Sequence, residues 1–114
     1  MAIKLTGHNL MAAAAEMMGF PGWAVVNDKF FIRPTINGTL YTWNPLYSYS
    51  AAFQILSRML EDGWTYSLHG TTPRGCECDM YHPDHTGITE NAPTMQQAIL
   101  LAALAANRAK RGGV

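Results

Sequence analysis

Residues 76–85 read Cys-Glu-Cys-Asp-Met-Tyr-His-Pro-Asp-His, the stretch richest in groups that bind metals or move protons. Cys76, Cys78, His82 and His85 total four ligands of the zinc type, enough for a closed tetrahedral site. One residue between two cysteines is shorter than the usual gap of two to four. On a strand the two thiols point the same way with sulfurs about 5–7 Å apart, too far for one ion without a local bend. The plainer reading is a strand with small thiols on its core side, followed by a polar loop, and it requires no metal and no cofactor. A zinc-binding protein, or a small metal-dependent hydrolase built on Cys76–His85, is the alternative.

His69, Glu77 and Asp79 form a second set. A histidine within reach of a carboxylate and facing a pocket is an acid–base pair. Without the pocket the same residues are cross-strand charge pairs on an exposed face. No nucleophile motif, glycine-rich phosphate loop or paired-acid motif accompanies them, so a non-catalytic chain is expected.

The aromatic residues point to binding. Trp23, Tyr41, Trp43, Tyr47, Tyr49, Trp64 and Tyr66 are dense for this length. Aromatics with polar tips recur at interfaces and stack on nucleobases. Trp23 and Trp64 are expected in the core. Tyr41, Trp43, Asn44, Tyr47, Ser48 and Tyr49 surround a loop and a helix start, and make the candidate ligand- or partner-binding surface. Arg33 and Arg74 are available for phosphate, with His69 as a further polar contact. Ser48 and the backbone amides at that helix start could cradle an anion.

The elements that position these residues follow from periodicity. Leu10, Ala13, Ala14, Met17 and Met18 recur at helical spacing, with Thr6 as a cap and Gly19 and Pro21-Gly22 as the stop. Residues 23–26 and 30–32 are short strands joined by Asn27-Asp28. Asn37-Gly38 predicts a two-residue type I′ hairpin between residues 35–36 and 39–43. A second helix starts near Ser48 or Ser50, buries Ala52, Ile55, Leu56, Met59 and Leu60, and ends at Gly63. Residues 64–70 and 75–81 predict a strand pair with Cys76, Cys78 and Met80 opposite Glu77, Asp79 and Tyr81. Residues 82–93 predict a polar loop. Thr94 to Gln97 is a capping box that opens a last helix apolar around much of its circumference.

The chain has 114 residues, 48% hydrophobic and 14% charged, which suits one domain spanning residues 1–114. Eight basic residues balance eight acidic ones. A neutral balance argues against a binder of long nucleic acid, which needs a basic field, and against an acidic DNA mimic. It also leaves self-association into a homo-oligomer open. Two cysteines one residue apart make a poor disulfide, so a reducing, cytoplasmic setting is expected. Residues 1–4 do not begin a signal peptide, and the longest apolar stretch, 98–106, is far too short to span a membrane. Three helices on antiparallel strands, α+β, is the natural architecture.

Three stretches resemble the phage ABA sandwich domain family. They are 14–23, Ala-Ala-Glu-Met-Met-Gly-Phe-Pro-Gly-Trp; the Pro45-Leu-Tyr-Ser48 motif running into Ala51-Ala-Phe53 and ending at Gly63-Trp64; and the closing helix from Thr94 to Ala105. Together they span nearly the whole chain. The Asn37-Gly38 hairpin and the Cys/His-rich stretch depart from the simplest family pattern. The resemblance implies a bacteriophage or prophage origin, an α/β/α sandwich, and no catalytic residues to transfer. A small accessory protein that counters host antiviral defence by binding is then the expected function. It would sequester a nucleotide immune signal or block a host defence protein in the manner of an anti-CRISPR inhibitor. A minor structural or regulatory phage role is the remaining alternative.

Overall fold

The computed structural model describes residues 7–35, 37–71 and 75–112. The elements in order are α1 (Gly7–Met17), β1 (Gly22–Val26), β2 (Lys29–Arg33), β3 (Tyr41–Thr42), α2 (Tyr49–Glu61), β4 (Thr65–Thr71), β5 (Gly75–His82), β6 (His85–Ala92) and α3 (Met95–Gly112). This is the expected α+β fold with three helices. The antiparallel strands divide between two sheets of three, β1-β2-β3 and β4-β5-β6.

Both first helices end in the same way. Gly19 and Gly63 take positive φ, +78° and +93°. Phe20 and Trp64 then donate backbone N–H bonds five residues back, to Ala15 and Met59. This glycine-closed turn satisfies carbonyls that the helix end leaves free. α2 starts at Ser48, whose hydroxyl accepts from the Ala51 N–H, and α3 starts at Thr94, whose hydroxyl accepts from the Gln97 N–H.

α3 is the centre of the core. Ala98, Ile99, Leu100, Ala102, Ala103, Leu104 and Ala106 are all buried, so this helix is covered on more than one side. It packs on β5 and β6 and also against α2 and α1, while α1 reaches β1 and β2. Trp64 is 2% exposed, as expected for a core residue. Trp23 is 45% exposed instead, with its ring stacked on Phe30 at 5.5 Å, because β1 is an edge strand.

Two turns differ from expectation. The two-residue turn with both φ positive is Asn27-Asp28, between β1 and β2. Such a turn matches the strand twist and tolerates Asn and Asp. At Asn37-Gly38 the Gly38 N–H bonds to the Thr35 carbonyl instead, so Gly38 is the last residue of a turn in a wide loop. Residues 85–92, expected as loop, form β6. It pairs with β5 from Cys76↔Ala92 to His82↔His85, with a register shift between Met80 and His82. The β4–β5 pair keeps the expected alternation. Among the described residues no helix is long and apolar enough to cross a membrane.

Candidate functional site

The end of β3 and the start of α2 enclose a cleft of about 260 Å³ lined by Thr42, Trp43, Asn44, Ser48, Ser50, Ala51 and Gln54. Pro45, fully buried, and two bonds from the Tyr47 and Ser48 N–H groups to the Asn44 carbonyl set the loop between them. Trp43, Asn44 and Ser48 thus all line this cleft.

The α2 N-terminus opens into this cleft. The first four N–H groups of a helix have no partner within it. The Ser48 hydroxyl takes the Ala51 N–H and the Ser48 carbonyl the Ala52 N–H, which leaves the Tyr49 and Ser50 amides. No acidic residue lies in the first turn, so the positive end of the helix dipole is not offset locally. Asn44 Oδ1 is buried and has no hydrogen-bond partner among the described residues.

The aromatic residues separate into two roles. Trp43 is 4% exposed, with its ring edge-on to Phe20 at 5.2 Å and its indole N–H bonded to Gln54 at 2.9 Å. It is a packed wall, not a stacking platform. Tyr41, Tyr47 and Tyr49 are exposed, Tyr47 most of all at 77%, and Tyr49 lies 6.0 Å from the exposed Phe53. Arg33 is exposed at the end of β2. Phe31 pairs with Thr42, so Arg33, two residues on, shares the face of that lining residue. Arg74 lies outside the described residues.

His69 belongs to the other sheet. Its Nε2 lies 3.2 Å from Asp79 Oδ2, and the Thr89 hydroxyl donates to Asp79 Oδ1 at 2.7 Å. The Asp79 side chain is 9% exposed, against 54% for His69. Ligand atoms of His69, Glu77 and Asp79 lie within 4.8 Å of one another. The Glu77 carboxyl is raised above its usual range, first by its hydrogen bond to Asp79, then by desolvation and the Asp79 charge, with His69 opposing.

Cys76, Cys78, His82 and His85 do not converge. Cys76 and His82 stand at opposite ends of β5, six residues apart, which on a strand is about 20 Å. Cys78 is fully buried, and its thiol is pushed up to about 12, first by burial and then by the Asp79 charge. His82 and His85 form a register pair and pack on Trp64, His85 stacked at 5.4 Å and His82 tilted at 5.0 Å. His82 Nδ1 accepts the Asp84 N–H at 3.0 Å. These histidines close a hairpin over a core tryptophan.

Sequence reasoning missed Gln54, Ser50 and Thr42 as lining residues, and Thr89 as the partner of Asp79. Gln54 follows from helical spacing, since it lies one turn beyond Ser50 on α2. Thr89 had no signal, because its strand was read as loop. No protein-family model matches the chain, and no curated protein matches it as a relative.

Proposed function

We propose that this protein is a non-catalytic binding module that takes a small nucleotide at the cleft between Asn44 and Gln54. The observation that carries this reading is a helix start with two amides that have no partner among the described residues and no acid in its first turn, opening into a cleft lined by hydroxyl and carboxamide groups. A phosphate suits the Tyr49 and Ser50 amides. A base suits the polar lining and an exposed tyrosine face. In the phage setting that the family resemblance implies, such a module sequesters a nucleotide signal of host defence in the bacterial cytoplasm. The test is a thermal-shift and NMR screen with cyclic dinucleotides and ADP-ribose derivatives. A hit raises the melting temperature, moves the Tyr49 and Ser50 amide resonances, and releases its ligand unchanged. A broad panel that moves neither overturns the reading.

A second reading is docking on a host defence protein, a CRISPR effector included. It is favoured by Tyr41, Tyr47, Tyr49 and Phe53, which are 49–77% exposed. Polar-tipped aromatics are the residues that anchor protein interfaces. Stoichiometric co-purification of one host protein, lost in Tyr47→Ala, distinguishes this reading from nucleotide capture.

A further inference from the structure

The β4-β5-β6 sheet has two unlike faces. Leu68, Cys78, Met80 and Ile88 fall on the side that α3 covers. By the same register Ser67, His69, Glu77, Asp79, Tyr81, Thr89 and Asn91 fall on the other. The middle strand of this outer face holds two carboxylates two residues apart. None of the three strands contains a Lys or Arg to offset them. The one potential counter-charge among the described residues is His69.

We propose that this outer face binds one divalent transition-metal cation through His69, Glu77 and Asp79. The donor set, one imidazole and two carboxylates, suits zinc or manganese. Two atoms each about 2.1 Å from a common tetrahedral ion stand about 3.4 Å apart. His69 Nε2 and Asp79 Oδ2, at 3.2 Å, already meet this spacing. Glu77 closes the set by a side-chain rotation that moves its carboxylate by at most about 1.4 Å, since all three donor atoms lie within 4.8 Å. Asp79 is the pre-set ligand: it is nearly buried, and Thr89 holds its other oxygen. A hydrogen bond that fixes the free oxygen of a ligating carboxylate is the usual outer support of a metal site. Three protein donors leave coordination positions open to water or to an anionic ligand.

Titrating metal-stripped, full-length protein with zinc, manganese or magnesium chloride by calorimetry tests this. One equivalent of zinc is expected to bind, manganese more weakly and magnesium weakest, following the preference of a mixed N/O donor set. His69→Ala and Glu77→Gln, both at accessible side chains, should each weaken zinc by about a hundredfold, and Thr89→Val by about ten- to a hundredfold. Cys76→Ser and His85→Ala should leave binding unchanged. Manganese should broaden the NMR signals of residues 69, 77, 79 and 89 most strongly. Failure to bind one equivalent of zinc, or binding that survives the His69→Ala/Glu77→Gln double variant, overturns the proposal. Either result leaves the nucleotide reading standing, since the two sites share no residue.

Discussion

The indole N–H of Trp43 donates to the side-chain carbonyl of Gln54 across 2.9 Å and ties the end of β3 to the second turn of α2. Trp43 is 4% exposed, and the bond itself is partly buried at the cleft edge. Gln54→Leu keeps the bulk and removes the acceptor. The stranded donor should cost about 1–3 kcal/mol, read as a lower urea midpoint at unchanged slope. A variant as stable as its parent would show that the bond adds nothing net.

The cap at Ser48 offers a graded test. Its hydroxyl accepts the Ala51 N–H at 3.3 Å. Ser48→Ala should lower stability by about 1 kcal/mol and Ser48→Gly by only a few tenths. Equal losses would place the effect in packing of the cleft wall, not in capping.

Cys78 should resist alkylation. Its thiol is buried and stays protonated at pH 8, because burial pushes it up to about 12. Iodoacetamide and intact-mass analysis should find Cys78 labelled only after unfolding. The linkage has a definite sign. The unfolded thiol ionises near 9.0, so between about pH 9 and 12 the unfolded state binds fewer protons and stability falls as pH rises. Cys78→Ala should flatten that alkaline limb.

Glu77→Gln should stabilise the metal-free protein at pH 7. The folded Glu77 carboxyl is raised from 4.5, chiefly by its hydrogen bond to Asp79. Its protonated form is favoured in the fold, so its contribution is present below the unfolded pKa and lost as pH rises through the folded one. The amide keeps the bond without the charge. The urea midpoints of variant and parent should therefore separate at pH 7 and converge near pH 4. No separation would mean that the two carboxylates do not repel.

Gly63 and Gly75 should both resist a side chain, to different degrees. At Gly63, φ is +93° and a Cβ would stand 3.0 Å from His82 Nε2; Gly63→Ala should cost about 1–2 kcal/mol by thermal melts. At Gly75, φ is +98° and a Cβ would stand 2.5 Å from the Ala92 carbonyl oxygen, a backbone atom that cannot swing aside. Gly75→Ala should therefore cost more. Gly22, with nothing within 4 Å, should accept alanine within about 0.5 kcal/mol.

The helices were legible because their signals are local. Ser48, Thr94, Gly19 and Gly63 act on backbone groups within five residues of themselves. The Cys76, Cys78 and Met80 face was legible for the same reason, since alternation needs no partner strand. β6 was not. Its sequence His-Thr-Gly-Ile-Thr-Glu-Asn-Ala buries only Ala92 fully, so no apolar pattern marks it, and pairing with β5 makes it a strand. The Asn37-Gly38 turn misled because a loop with the same dipeptide can place it one residue out of register, whereas Asn27-Asp28 took the hairpin geometry without a glycine. At the cleft, Asn44 and Ser48 were within reach of sequence reasoning. The meeting of Trp43 with Gln54, eleven residues on, needed the fold.

The order in which the chain emerges gives α3 a second significance. It follows in sequence every element it packs against, and it supplies the helix around which α1, α2, β5 and β6 gather. During synthesis those elements leave the ribosome with their apolar faces uncovered until residues 98–106 arrive. The core can therefore be completed only after α3 has been made, and a nascent chain stalled before Thr94 should expose apolar surface to chaperones.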